Sequence, residues 1–339
     1  MTSAFTPHQE KILNAVQSPL PFVRRPFLVL EKELGIPENN IIETVRGLKE
    51  DGVIRNIAGI FNGESLGYAL TLAAFEVPEK DIERAASAIN KHPGVSHNYL
   101  RSHKYNIWFT IAEDNSENLK RSVQILASRS LARSHLIMKN ERLIKIGFRL
   151  NLGGAVPDKK HNERALGAAP QKYTLTEQDK LSVLLLQKDM PLTERPFREL
   201  AAETELSEDE LIESAAQLEE NKIMRRYCAV LRHQKAGYSH NAMTAWKFND
   251  SEDSLKPFIE SEAVTHLYIR TLHPGQWEYP LFAMVHAKNE NELNEIINGL
   301  SERSALADKL VLHSLREFKK QRVMYFSPDF QKWKEKNYD

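Results

Sequence analysis

Apolar residues recur at helical spacing in three short runs at the start of the chain. Ile12, Leu13 and Val16 mark one amphipathic helix. Phe27, Leu28, Leu30 and Leu34 mark a second, stopped by Gly35. Ile41, Ile42, Val45 and Leu48 mark a third, stopped by Gly52. Three short helices with tight connections, followed by Gly52-Val53-Ile54-Arg55, predict a winged helix-turn-helix. The period then shortens. A strand-rich run reaches Phe61, and Gly67-Tyr68 opens an apolar strand from Ala69 to Val77. Glu79 to Lys91 reads as a helix broken by Pro93-Gly94, and a strand around His97 follows. Tyr105 to Ala112 is a second strand, Asn118 to Arg129 a helix, and Leu136 to Phe148 a last strand. The order βαββαβ predicts a ferredoxin-like domain, one antiparallel sheet with both helices on one face.

The pattern then begins again. Arg25-Pro26-Phe27 returns as Arg195-Pro196-Phe197, Leu48 as Leu218, Arg55 as Arg225 and Gly67-Tyr68 as Gly237-Tyr238, all 170 residues on. A constant offset over this length is an internal repeat. The chain therefore reads as α+β, a tandem repeat of a winged helix-turn-helix plus a ferredoxin-like βαββαβ domain. The expected units are 1–60 and 61–150, a Gly/Ala/Pro-rich linker at 151–172, then 173–230 and 231–330.

One motif falls at the same strand position in both copies. Val95-Ser96-His97-Asn98-Tyr99-Leu100-Arg101 and Val264-Thr265-His266-Leu267-Tyr268-Ile269-Arg270 both read Val-x-His-x-Tyr-x-Arg. Strand alternation places Val, His, Tyr and Arg on one face. Leu267 and Ile269 suit the helix-covered face, as do Ile107, Phe109 and Ile111 on the neighbouring strand and Leu281, Ala283 and Val285 in the second copy. The open faces then carry Trp108 and Thr110, and Phe282, Met284 and His286. Faces so rich in aromatic surface need a cover. The other copy's equivalent face is the natural one, giving a pseudo-two-fold sandwich whose rows look into a common pocket. Mixed aromatic and cationic walls suit a flat aromatic ligand with carboxylates at its rim. Arg55 and Arg225, just after the helices, are placed to reach that pocket from the helical side.

Charge narrows the function classes. Lys plus Arg and Asp plus Glu both number 46, so no global basic field points to nucleic acid. The third helix of each copy is acidic: Glu38, Glu43, Glu50 and Asp51 in the first, and Glu208, Asp209, Glu210, Glu213, Glu219 and Glu220 in the second. The first set is offset by Arg46 and Lys49, but the second meets no base before Lys222, and such a helix would be repelled by phosphates, although the early acids also suit a helix N-terminus. The single cysteine, Cys228, excludes an internal disulfide and a cysteine-rich metal site. No apolar run approaches the ~20 residues of a membrane span, and Met1 to Lys11 does not resemble a signal peptide, so a cytoplasmic protein is expected.

Winged helix followed by βαββαβ resembles the Lrp/AsnC regulators. The strings His92-Pro93-Gly94-Val95-Ser96-His97-Asn98-Tyr99-Leu100-Arg101, Tyr105-Asn106-Ile107-Trp108-Phe109 and Phe282-Ala283-Met284-Val285-His286 resemble the siroheme decarboxylases built on that architecture, in their fused two-subunit form. The resemblance spans nearly the whole chain. It implies removal of the carboxyl groups of two acetate side chains of siroheme, giving 12,18-didecarboxysiroheme, for an alternative route to heme b or for the d-type heme. By position it implies His97 and His266 as catalytic residues. It implies Arg101, Tyr99, Trp108, Arg270, Tyr268, Arg55, Arg225 and His286 around the substrate. No organic cofactor is expected, since the conjugated macrocycle can take up the developing charge. No metal site built by the protein alone is expected either, although a histidine could ligate the siroheme iron. Partners are then siroheme and the other repeat, with a homodimer open; membranes and nucleic acid are not expected. The second copy has Leu267 where the first has Asn98, and Thr271-Leu272 follows Arg270, so the two rows are not expected to be chemically equivalent. The competing reading is an Lrp/AsnC-type ligand-sensing, DNA-binding transcription regulator.

Overall fold

The computed structural model describes residues 5–146, 173–231 and 240–338. The linker at 151–172 and the repeat pair Gly237-Tyr238 lie outside the described residues. The first helical unit comprises α1 (Pro7–Gln17), α2 (Pro26–Leu34) and α3 (Glu38–Glu50). Thr6 caps α1 in a reciprocal box with Gln9, and Gly35 ends α2 in the left-handed conformation, at φ 69°. Strand β1 (Ile54–Phe61) leads to β2 (Ala69–Glu76), α4 (Ile82–Asn90), β3 (Val95–Arg101), β4 (Ile107–Glu113), α5 (Ser116–Arg129) and β5 (Ser134–Ile146). The second copy follows as α6 (Glu177–Leu186), α7 (Pro196–Ala201), α8 (Glu208–Glu220), β6 (Met224–Leu231), β7 (His240–Trp246), α9 (Glu252–Glu260), β8 (Val264–Arg270), β9 (Leu281–Ala287), α10 (Glu290–Ser304) and β10 (Lys309–Lys320). A last helix, α11 (Asp329–Asn337), has no counterpart in the sequence reading.

The recurring Arg-Pro-Phe motif has a local cause. Pro26 and Pro196 start their helices, where a missing N–H costs nothing. Phe27 and Phe197 are fully buried in a core shared by both helical units. Arg25 pairs with Glu38 and Arg195 with Glu208, so each arginine ties its short helix to the start of the acidic third helix. Arg24 reaches Asp209 of the other copy at 2.5 Å. Several acids that looked unmatched in the sequence are therefore structural.

The sheets depart from the expected sandwich. Each copy has the ferredoxin-like strand order, but the two sheets also join edge to edge. Strand β5 pairs with β8 and β10 pairs with β3, closing one barrel in the order β10-β3-β4-β2-β5-β8-β9-β7. Long final strands make this possible: β5 has 13 residues and β10 has 12, enough to serve two neighbours. Closure removes the exposed edges that two separate sheets would present. The open faces still bury one another. Leu72, Trp108, Leu136, Met138, Phe282 and Leu312 meet inside the barrel, while the helices cover the outside.

Above one end of the barrel lies a two-stranded ribbon. Strands β1 and β6 pair antiparallel about Ala58 and Cys228, joining the two helical units. Every neighbouring pair in the barrel is antiparallel, so strands four places apart run the same way. Strands β3 and β8 are such a pair. They carry His97 and His266 at the same end of the barrel, on opposite walls.

Candidate active site under the ribbon

The His-Tyr-Arg rows are real, but valine is not part of them. A register shift between Val95 and His97, and another between Val264 and His266, inserts one extra residue into each strand. The bulge turns Val95 and Val264 into the helix-covered cores, while His, Tyr and Arg face the other way. The extra residue supplies a hydroxyl. Ser96 Oγ lies 3.0 Å from His97 Nδ1 and 2.6 Å from Thr110 Oγ1. Thr265 Oγ1 lies 2.9 Å from His266 Nδ1 and 3.0 Å from His286 Nε2. His286 is thus brought to the second row through Thr265.

Each row stacks as a ladder. The His97 and Tyr99 rings lie 6.2 Å apart at 23°, and those of His266 and Tyr268 lie 6.2 Å apart at 19°. The guanidinium of Arg101 sits 5.1 Å from the Tyr99 ring centre, and that of Arg270 sits 4.7 Å from Tyr268. Across the seams, Arg101 donates to the Leu312 carbonyl at 2.9 Å and to Ser314 Oγ at 3.0 Å. Arg270 donates to the Met138 carbonyl at 3.1 Å. Neither arginine has a carboxylate within 4.0 Å among the described residues, and the Nε of each has no partner. Burial pushes both guanidinium groups down to about 10, so both remain charged at neutral pH. A cation withdrawn from water without a counter-ion is costly, and the fold makes that arrangement in both copies, with Arg101 buried and Arg270 half-buried.

Electrostatics separate the rows. The register partners of His97 and Tyr99 on β10 are Lys320 and Glu317, whereas those of His266 and Tyr268 on β5 are Ile146 and Leu143. Tyr99 Oη donates to Glu317 at 3.2 Å, and burial together with that carboxylate pushes the phenol up. Burial, reinforced by Lys320 and Arg55, pushes the His97 imidazole down to about 4. His97 is therefore neutral at pH 7 in the ligand-free protein, whereas an ordinary histidine of pKa ~6.5 would be roughly one-quarter protonated.

The ribbon brings further cations. Arg55 donates to the Lys320 carbonyl at 3.0 Å, which places it beside His97. Arg225, its repeat equivalent, acts electrostatically on Tyr268. Trp108 does not join this group. It is 1% exposed, donates to the Tyr105 carbonyl at 2.6 Å and packs on Trp277 and Phe282, so it backs Tyr99 from within the barrel core and offers no free face. Lys320, Glu317, Ser96 and Thr265 were missed in the sequence. The first two lie outside the motif, and the hydroxyls take their place only through the bulge.

A groove of about 440 Å³ lies beside the barrel, lined by Lys91, Lys319, Arg322, Asp329, Lys332 and Trp333 among others; neither histidine row lines it, and Arg322 stands on its rim toward the ribbon. No group of three or more His, Cys, Asp or Glu that could hold a metal occurs among the described residues. Among those residues, no helix is long and apolar enough to cross a membrane.

Known proteins resemble the chain over nearly its whole length. The model of the AsnC-like ligand binding domain matches residues 65–145 and 235–319, and that of the siroheme decarboxylase NirDL-like HTH domain matches 9–55 and 179–225. The chain is 38% identical to a siroheme decarboxylase of Hydrogenobacter thermophilus, over 96% of both chains. It is 35% identical to the siroheme decarboxylase beta subunit of Oleidesulfovibrio alaskensis, which aligns over 98% of its own length with 45% of this chain. A crystal structure of the siroheme decarboxylase NirDL in complex with an iron-uroporphyrin III analogue superposes with a TM-score of 0.77 at 34% identity, covering 97% of this chain and 98% of that one.

Proposed function

The chain belongs to the siroheme decarboxylase family, and on that premise we propose that it removes the carboxyl groups of two acetate side chains of siroheme, yielding 12,18-didecarboxysiroheme. The observation that carries the assignment to this site is the pair of arginines, buried Arg101 and half-buried Arg270, each stacked on a tyrosine and unmatched by any carboxylate among the described residues. Siroheme is a large aromatic ring rimmed by carboxylates, and fixed guanidinium groups suit such a rim. Products of this kind feed an alternative route to heme b or the route to the d-type heme.

The chemistry balances without an added oxidant or reductant. The bond between the acetate CH2 and its carboxylate breaks, CO2 leaves, and the electron pair stays on carbon, spread into the macrocycle. One proton then completes the methyl group. His97 and His266 are the residues assigned to hold or deliver that proton. The neutral state of free His97 fits this role once substrate is considered. Burial, the main cause of the depression, persists on binding, while carboxylates docking against Lys320 and Arg55 cancel the positive field that adds to it and favour the protonated imidazole beside them. Arg55, Arg225, Tyr99, Tyr268 and His286 orient the ring and its arms. No organic cofactor enters this scheme. The second repeat is the partner within the chain.

Anaerobic incubation with siroheme, followed by mass analysis, tests the reading. The wild-type chain should give the double loss of CO2. His97→Ala and His266→Ala should each stop at one loss or none. Full double decarboxylation by both variants would remove these histidines from the mechanism. A salt-dependent shift of promoter DNA without turnover would favour the regulator instead.

A further inference from the structure

Beyond β10 the chain forms a strap that returns to the first copy. Gln321 N–H donates to the Ser96 carbonyl at 2.7 Å, one residue from His97. Gln187, at the end of α6, clasps Tyr325 through both its amide oxygen, at 2.9 Å, and its amide nitrogen, at 3.1 Å. Tyr68 packs on Tyr325, Phe326 and Phe330. The strap is therefore pinned at both ends, and between the pins it carries Arg322 under the ribbon.

Arg322 is half-buried there. Its Nη1 donates to the Gly59 carbonyl at 3.3 Å, a long bond, and no carboxylate of the described residues lies within 4.0 Å. The nearest formal charges acting on it are Arg55 and Arg226, both of the same sign, and Cys228 is its other ionisable neighbour. Arg226 stands opposite Ile60, beside the Gly59 that Arg322 touches. Lys320 is two residues back on the strap, and its side chain makes no hydrogen bond or ion pair among the described residues. Arg55 and Lys320 act directly on His97, and Arg322 adjoins Arg55 and Arg226, so four cations from β1, β6 and the strap gather on the His97 side, where Glu317 is already engaged by Tyr99. Like charges gathered under a ribbon repel one another, and such an arrangement is relieved by a polyanionic ligand.

We propose that Arg322 is a carboxylate-binding residue of the His97 site, acting with Lys320 and Arg226 to hold arms of the tetrapyrrole that are not being decarboxylated. The inference rests on the siroheme reading for the identity of the ligand, while the geometry alone calls for a polycarboxylate. The strap then does more than tie the halves together. It makes the C-terminal segment part of the substrate site, a part that the internal repeat does not supply.

The test compares two iron porphyrins by absorbance titration of the full chain. Iron uroporphyrin has eight carboxylates and iron protoporphyrin has two. Arg322→Gln should weaken binding of iron uroporphyrin about tenfold or more, while changing that of iron protoporphyrin by less than about threefold. Arg322→Lys should recover most of the loss, and KM for siroheme should rise in Arg322→Gln with kcat at saturation largely kept. Equal loss for both ligands, or no loss for either, would overturn the proposal. Should Arg322→Gln melt early, Lys320→Gln carries the same comparison, because its side chain has no structural bond to lose. The two readings fail separately. Selective loss of iron uroporphyrin binding in a protein that releases no CO2 from siroheme would reject the decarboxylase and keep the polycarboxylate site. Turnover with KM unmoved by Arg322→Gln and Lys320→Gln would do the reverse.

Discussion

At the scale of the residue, His97 shows how far a side chain departs from its sequence expectation. Its identity and its place in a repeated row were legible, because two copies of Val-x-His-x-Tyr-x-Arg stand at equivalent positions. Its charge state was not, because it is set first by burial in the folded barrel and then by Lys320 and Arg55, which approach from parts of the chain that the motif does not contain. The shift has a sign that can be measured. The folded imidazole titrates near 4 and the unfolded one near ~6.5, so between those values the unfolded chain binds a proton that the native chain does not. The native state therefore loses stability as pH falls through that window, and loses nothing from this group above it. His97→Asn has no such proton to bind. Relative to wild type it should gain about 1 kcal/mol or more in unfolding free energy on going from pH 7 to pH 5, a figure kept low because the ring is partly exposed. Urea unfolding at the two pH values measures this, and a difference that stays constant would mean an ordinary imidazole. Arg322 was beyond the reach of the sequence for a different reason: it has no repeat counterpart to draw attention to it.

At the scale of the element, strand β3 is placed by what precedes it. Alternation alone put Val95 in the row with His97, and the bulge at Ser96 overturned that, since one extra residue reverses the face of everything before it. The bulge is anchored by the His92-Pro93-Gly94 turn. His92 is fully buried, takes the Gly94 N–H on Nδ1 at 3.0 Å and thereby points its Nε2–H at Glu113, 3.1 Å away. Burial would raise Glu113, but bonds from His92 and Ser122 and the charge of Lys334 hold it below its usual range. Trp333 and Tyr338 from the α11 end of the chain close this cluster, with the Trp333 ring 4.1 Å from His92. Gly94 is where the turn is tightest. A Cβ there would come within 1.9 Å of the Ala112 carbonyl oxygen, on a backbone whose Ala112 N–H already donates to the Gly94 carbonyl at 3.0 Å. Backbone cannot yield as a flexible side chain would. Gly94→Ala should therefore pull the start of β3 from β4, lower stability by about 2 kcal/mol or more, and cut siroheme turnover beyond what the lost stability explains. Thermal melts and turnover at a temperature where the variant is folded would check this; near-native turnover would mean that the bulge is fixed from elsewhere.

At the scale of the whole molecule, the repeat made the architecture legible and the closure did not follow from it. A constant offset revealed two copies of one unit, and the aromatic open faces showed that each needed a cover. The sequence did not show that β5 and β10 would run on into the other copy's sheet, because strand length past a neighbour is not written in alternation. Helix α11 was missed because its polar sequence buries only Phe330 and Trp333. The closed barrel has a consequence for assembly. Three backbone-paired seams join the halves: β5 with β8, β10 with β3, and β1 with β6. The barrel core draws Trp108, Leu136 and Met138 from one half and Trp277, Phe282 and Leu312 from the other, so either half alone would expose a large apolar face. These seams predict that the covalent link between the copies can be cut once both are present; one relative aligns over 98% of its own length with only 45% of this chain. Residues 1–150 and 173–339 produced together as separate chains, with a tag on one, should co-purify in equal amounts and decarboxylate siroheme. Either chain produced alone should aggregate or pair with itself, without double decarboxylation. Recovery of a soluble, fully active single half would mean that one row and one ribbon strand suffice, and that the seams serve stability without building the site.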